Sequence, residues 1–133
     1  MQYVKVVVLA VLALFTFMQC SKPSPEEQAM LAAKGYYDHL LLGEYDHFLE
    51  GRADVDSTFP PDYREELVVA LKQFMVQQQT QHRGVNAVRA VRASLDSLSL
   101  SSANVFLVLC FGDSTNEEIV VPMIERDGRW LMK

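Results

Sequence analysis

The chain of 133 residues lacks the short motifs by which most enzymes hold a cofactor, a metal ion or an activated nucleophile. It contains no glycine-rich phosphate loop, no His-Glu-x-x-His pair, no Gly-x-Ser-x-Gly turn and no Cys-x-x-Cys pair. Each of these motifs places particular ligand or nucleophile groups at a fixed spacing, so its absence removes the class of chemistry that depends on it. The sequence therefore predicts no cofactor and no metal site, and it favours a non-catalytic role.

Basic residues are also in short supply. Twelve Lys and Arg residues face seventeen Asp and Glu residues, which gives a net charge of −5 at pH 7. Proteins that bind nucleic acid use clusters of Lys and Arg to displace the counterions of the phosphate backbone. Anionic lipid headgroups attract the same residues. We therefore expect no binding to nucleic acid, and any attachment to a membrane must have a source other than charge.

Cysteine is scarce as well and is present only as Cys20 and Cys110. Cys20 follows a basic start at Lys5 and an apolar run over residues 6–18. A run of roughly 7–15 apolar residues after a basic start is typical of an export signal, whereas a transmembrane helix needs about 20. No Ala-x-Ala cleavage site follows, and Cys20 occupies the position of the acylated cysteine in bacterial lipoprotein signals, which the segment resembles. An uncleaved membrane anchor is the alternative, because the bulky residues of 17–19 replace the small ones usual before that cysteine.

These observations predict a signal peptide at residues 1–19, a lipidated Cys20 with a tether over residues 20–24, and one domain over residues 25–133. The protein is then expected in the bacterial cell envelope, anchored to a membrane through lipid at Cys20 and facing either the periplasm or the cell surface. With Cys20 modified, Cys110 has no partner, so a disulfide framework is excluded and the domain depends on its hydrophobic core.

Helices are predicted for the first half of the domain. Ser24 precedes Pro25, and Glu27 follows three residues after Ser24, which is typical of a capped helix start. Gly43 is expected to end this helix, and a second short helix is expected over residues 44–49. Pro60-Pro61 opens a third helix, whose polar last turn over residues 77–82 is predicted to be exposed.

Strands are predicted for the last third, over residues 104–111, 117–125 and 130–133, with Asp127-Gly128 forming the last hairpin turn. Between the two halves, apolar residues recur over 85–100 at nearly helical spacing, which favours a helix there. Helices followed by an antiparallel meander indicate an α+β fold.

Two motifs resemble a known family. The run from Tyr37 to Tyr45 is similar to the YxxLLxGDY opening of small bacterial lipoproteins of unknown function, and the run from Glu125 to Trp130 is similar to their closing DGKW hairpin. These lipoproteins belong to the nuclear transport factor 2-like, or cystatin-like, superfamily. The resemblance implies N-terminal helices packed in a curved, cone-like, four-stranded antiparallel sheet. It also implies that Val85 to Leu98 is a long strand with a bulge, against the helical spacing.

The strongest candidates for ligand contact are aromatic residues that the resemblance would place at the mouth of the cone. Filling of the core is the alternative role for them. These candidates are Tyr37, Tyr45, Phe48, Phe74, Phe106 and Trp130. Such a pocket would take a small apolar ligand or a protein partner.

The two Asp-His pairs and Cys110 are weaker candidates for metal binding or catalysis. The Asp-His pairs at residues 38–39 and 46–47 are separated by Gly43 and do not converge as metal ligands must. Cys110 lies in an apolar strand without a nearby charge, so we expect a core cysteine and not a nucleophile.

The sequence leaves three functions open. Some members of the superfamily are isomerases or dehydratases, but no acid or base here is singled out for catalysis. The strand over residues 105–111 is apolar on both faces, which suggests a homodimer through the outer face of the sheet. A binding module, an enzyme and a purely structural lipoprotein therefore remain as three interpretations.

Overall fold

The computed structural model describes residues 22–133. The predicted signal peptide and Cys20 lie outside the described residues, as does Ser21 of the tether. Three helices come first: α1 (Pro25–Leu41), α2 (Tyr45–Glu50) and α3 (Pro61–His82). None of the helices within residues 22–133 has the length and apolar character needed to cross a membrane.

The start of α1 confirms the predicted cap. The hydroxyl oxygen of Ser24 accepts a hydrogen bond from the Glu27 backbone N–H at 3.2 Å, and Pro25 occupies the first helical position. Gly43 follows the end of α1 with a φ of +75°, a left-handed conformation that glycine adopts without steric cost. The chain can thus turn sharply into α2.

Four strands follow in the order in which they pair: β1 (Val85–Leu95), β2 (Ser102–Phe111), β3 (Asn116–Arg126) and β4 (Arg129–Met132). All three pairings are antiparallel. Asp127 and Gly128 connect β3 to β4 with φ values of 51° and 77°, as the predicted tight hairpin requires. The predicted α+β fold, with helices before a four-stranded antiparallel sheet, is confirmed.

The helix predicted from spacing over residues 85–100 is wrong, and the strand implied by the family resemblance is confirmed. The register of β1 against β2 shifts between Val85 and Ala87, and again between Ala90 and Arg92. Each bulge inserts one residue and moves the inward positions along by one. Val88 and Ala90 face the core two residues apart, and Ala93 follows three residues later. Two bulges therefore give a strand the uneven spacing that resembles a helix.

The core lies between α1 and the inner face of the sheet. Alternate residues of β2 point inward, so that Val105, Leu107 and Leu109 are almost fully buried. On α1 the residues at the contact include Ala29 and Ala33, both fully buried, and their small side chains allow the helix to approach the sheet closely. Helix α1 contacts all four strands. The core is thus complete without much contribution from α3.

Candidate ligand-binding groove

A groove runs between the helices and β3. It consists of two adjoining cavities of about 300 Å³ and about 190 Å³ that share Tyr37 and Val120. The larger is lined by Tyr37, Phe74, Gln78, Leu109, Glu117, Ile119 and Val120. The smaller is lined by Tyr37, Phe48, Arg52, Val120, Val121, Pro122, Met132 and Lys133. We call the two cavities together the Tyr37 groove.

Tyr37 projects from α1 between the two cavities. Its ring packs edge-on against Phe48, with 5.4 Å between ring centroids and 89° between planes. Burial raises the pKa of the Tyr37 hydroxyl, and the nearby positive charge of Arg52 opposes that rise only in part. At neutral pH Tyr37 therefore keeps its proton. The Tyr37 hydroxyl makes no hydrogen bond to another residue within 22–133, which leaves it able to bond a ligand.

Helix α3 forms the second wall through Phe74 and Gln78. Gln78 is the one buried residue of this helix, so the prediction that residues 77–82 form an exposed turn is wrong at that position. The sequence did carry a signal: Gln78 lies four residues after Phe74 and seven after Leu71, on the apolar face of α3. An amide on this face adds a hydrogen-bonding group to an otherwise apolar wall.

Strand β3 forms the third wall. Ile119 faces the inner side of the sheet opposite Leu107, and Glu117 faces the same side opposite Leu109. Glu117 makes no ion pair with any residue in the described part of the chain. The groove thus has an apolar middle and the Glu117 carboxylate at one end, and Arg52 and Lys133 line the cavity at its other end.

The structure brings together three of the six predicted ligand contacts: Tyr37, Phe48 and Phe74. Tyr45 lies farther along, where the ammonium of Lys72 is 5.9 Å from its ring centroid. The ring of Phe106 lies on the outer face of the sheet, 3.8 Å from the guanidinium carbon of Arg92. The predicted set of six therefore does not line one cavity.

Trp130 belongs to the core and not to the rim of the groove. Its side chain is 3% exposed, and its indole N–H has no hydrogen-bond partner among residues 22–133. Its backbone carbonyl accepts a hydrogen bond from the Tyr36 hydroxyl at 2.6 Å. Trp130 consequently joins β4 to α1.

Cys110 also differs from its predicted place. In the β2–β3 register it pairs with Asn116, on the outer face of the sheet, and it is half-buried there. The inner positions of β2 are the neighbouring odd-numbered residues. The sequence predicts a core residue at Cys110 because it shows no difference between the two faces of β2.

The two Asp-His pairs bring histidines together, although not as metal ligands. The rings of His39 and His47 stack with 4.9 Å between centroids, and Glu44 lies 3.2 Å from Nδ1 of His39. In the described part of the chain, no group of three or more His, Cys, Asp and Glu side chains is arranged to hold a metal ion. This cluster lies on the helix surface, outside the Tyr37 groove.

A contact between His82 and Asp113 joins the end of α3 to the β2–β3 turn. Nδ1 of His82 lies 3.1 Å from the Asp113 carboxylate, and the His82 ring stacks on Phe111 with 4.2 Å between centroids. Hydrogen bonds from Thr115, followed by the interaction with His82, lower the pKa of Asp113 to about 2. This contact fixes the C-terminal end of α3 above the sheet.

We expect the contribution of Asp113 to stability to depend on acidity. Because its folded pKa is below the usual 3.8, the ionised carboxylate stabilises the fold above pH 3.8, and this contribution is lost as the pH falls towards 2. Urea unfolding between pH 5 and pH 2 should show that loss, and Asp113→Asn should flatten the pH dependence. Asp62→Asn, at an exposed position on α3, is the matched control, and an equal effect of both substitutions would contradict the assignment.

The comparisons with known proteins support the fold. No family model and no curated protein matches the chain. A Campylobacter jejuni protein, provisionally assigned as a nuclear transport factor 2-like transpeptidase, superposes with a TM-score of 0.58 at 14% identity, covering 75% of this chain and 92% of that one. A SEC-C motif containing protein from Rhodopseudomonas palustris superposes with a TM-score of 0.50 at 14% identity, covering 77% and 72%. The chain therefore has the nuclear transport factor 2-like fold.

Proposed function

We propose that this chain is a lipid-anchored binding module of the bacterial cell envelope, and that its Tyr37 groove holds a small apolar ligand or a segment of a protein partner. The observation that carries the proposal is the groove itself. It has an apolar middle, a buried amide at Gln78 and a protonated hydroxyl at Tyr37. A cavity with apolar walls and few polar groups is typical of ligand-binding sites.

Attachment to the envelope rests on the sequence around Cys20. The tether of residues 20–24 is short, and the helix that follows begins at Pro25. A lipid anchor at Cys20 would therefore hold the groove within a few nanometres of the membrane, because an extended chain spans about 3.3–3.6 Å per residue. A ligand or partner from the membrane region would be close to the groove.

An enzyme that uses the same groove is the second candidate function. The ionisable side chains that line the groove are the carboxylate of Glu117, the basic groups of Arg52 and Lys133, and the Tyr37 hydroxyl, whose pKa burial raises. Burial drives the pKa of Tyr37 upward, which makes this residue a hydrogen-bond donor and a poor base at neutral pH. The chemistry of the groove consequently favours binding, with isomerase-type or dehydratase-type catalysis as the alternative and a purely structural lipoprotein as the third.

Native mass spectrometry tests the binding function. We expect the full chain, extracted in mild detergent from its own envelope, to carry a bound molecule, and Tyr37→Leu to lose most of that adduct because the groove loses its central hydroxyl and ring. Tyr63→Leu removes an exposed tyrosine of α3 outside the groove and is the matched control. A chain without any adduct, or an adduct that survives Tyr37→Leu, would contradict binding in this groove.

The homodimer through the outer sheet face stays a prediction. Arg92 covers the ring of Phe106 and lies 3.6 Å from Glu118, so this face already carries an ion pair above its largest apolar side chain. Val120 remains half-exposed beside them. Light scattering on the full chain in detergent should show twice the monomer mass at tens of micromolar, and a monomer mass would exclude the dimer.

A further inference from the structure

The floor of the Tyr37 groove is an unpaired strand edge. Strand β4 pairs with β3 only from Met123 to Arg126, and the N–H of Lys133 adds one more hydrogen bond to the carbonyl of Pro122 at 3.0 Å. Beyond that point no described strand lies on this side of β3, while β2 pairs with its other side. The larger cavity is lined by residues of β3 from 117 to 120 and the smaller by those from 120 to 122. The two cavities thus follow the part of β3 that β4 leaves uncovered.

The hydrogen bonds show which backbone groups of β3 are free. The N–H of Glu125 donates to Ser101 on the β2 side, whereas the carbonyl of Pro122 accepts from Lys133 on the β4 side. Backbone groups alternate in direction along a strand, so the even-numbered residues of β3 point away from β2. The N–H and C=O groups of Glu118 and Val120 therefore point to the open edge, where no described residue bonds them.

The side chains around this edge define the sequence of a strand that would fit it. Residues paired with Ile119 and Val121 would project to the inner face. Tyr37 and Phe74 line the cavity at Ile119. Tyr37 and Phe48 line the cavity at Val121, together with Arg52 and Lys133. A residue paired with Glu117 would lie beside a carboxylate without an ion partner among residues 22–133. Positions paired with Glu118 and Val120 would face the outer side. From the residue paired with Val121 to the residue paired with Glu117, the edge therefore favours apolar, polar, apolar, polar and basic side chains in that order.

The geometry points to a specific occupant: an extended peptide segment of a partner protein that adds a strand to β3, antiparallel and in line with β4, with its basic C-terminal residue at Glu117. This inference rests on the proposed binding function and specifies its ligand. Five residues in extended form span about 17 Å, which matches the open stretch from Val121 to Glu117. Strand addition provides affinity through backbone hydrogen bonds, and the alternate side-chain pockets provide specificity.

Capped peptides test the inference on the full chain in lipid nanodiscs. The probe is acetyl-Val-Thr-Leu-Thr-Lys-amide, and hydrogen exchange read by mass spectrometry reports on β3. We expect the probe, at about 1 mM, to slow exchange of the Glu118 and Val120 amides. N-methylation of both threonines removes the donors that face β3 and should weaken binding by about tenfold or more, whereas N-methylation of the leucine should leave it nearly unchanged.

Two variants and one further probe separate the outcomes. Glu117→Gln should weaken the lysine peptide several-fold and leave a peptide with C-terminal glutamine unchanged. Binding that is insensitive to threonine N-methylation but lost in Tyr37→Leu would overturn strand addition and retain the groove as a binding site. Failure of the probe to bind, together with a small-molecule adduct that Tyr37→Leu abolishes, would assign the groove to a small apolar ligand. Failure of both would overturn the inference and the proposed function.

Discussion

Replacement of Cys20 by serine is expected to abolish acyl labelling. A thioether link to lipid requires the thiol of Cys20, and serine provides none. Each buried methylene of an acyl chain contributes about 0.8 kcal/mol, so the variant loses the contribution of every chain, and any membrane association that remains comes from the uncleaved apolar run of residues 6–18. The net charge of −5 does not favour attraction to anionic lipid.

Metabolic labelling with an alkyne fatty acid, followed by membrane fractionation, measures this effect. Cys110→Ser is the matched control, because Cys110 is the other cysteine of the chain and lies half-buried on the outer face of β2. We expect this control to keep both the label and the membrane association. A Cys20→Ser variant that keeps the label would contradict lipidation at Cys20, and an unlabelled parent chain in the membrane fraction would support an uncleaved anchor formed by the apolar run of residues 6–18.

Gly112→Ala is expected to be among the most destabilising single substitutions in the described domain. A β-carbon at Gly112 would overlap the carbonyl oxygen of Arg83, which belongs to the rigid backbone between α3 and β1. The same region is held by hydrogen bonds from Gly112 N–H to Gly84 and from Asp113 N–H to His82, each 2.9 Å. Because backbone cannot move aside cheaply, we expect a loss of about 2–3 kcal/mol in the free energy of unfolding.

Gly35→Ala is expected to raise the free energy of unfolding, whereas Gly112→Ala lowers it. Gly35 lies inside α1, and a β-carbon there would meet no atom within 4 Å. Alanine restricts the unfolded chain without a clash, so a gain of about 0.5–1 kcal/mol is expected. Chemical unfolding of both variants measures the contrast. A neutral Gly112→Ala would mean that the β2–β3 turn does not pack against the end of α3 as described.

Local chemistry made much of the fold predictable. Ser24, Pro25 and Glu27 define a helix start through their own hydrogen bonds, and Asp127-Gly128 defines a hairpin through its backbone preference. These signals act within a few residues and do not depend on the rest of the chain. Strand β1 is different, because its two bulges follow from pairing with β2, and spacing alone cannot show them. The strand at these residues was predicted from the resemblance to the family and not from the periodicity of apolar residues.

The candidate groove was predictable in part. Tyr37, Phe48 and Phe74 were expected near a ligand because aromatic residues occur at element positions that face inward. Gln78 was missed because a polar residue in a glutamine-rich turn is read as exposed, although its spacing places it on the apolar face of α3. The open edge of β3 was not predicted, because the pairing of strands depends on register, which no single residue encodes.

The position of the bound ligand tests the central claim most directly. Hydrogen exchange should be measured on two samples of the full chain. The first is extracted from its own envelope with the bound molecule in place. The second has lost the bound molecule through denaturation and refolding. Binding in the Tyr37 groove predicts protection confined to α1 around Tyr37, to α3 from Phe74 to Gln78, and to the open edge of β3. Protection confined to the outer face around Phe106 and Val108, with no change in the groove, would contradict it.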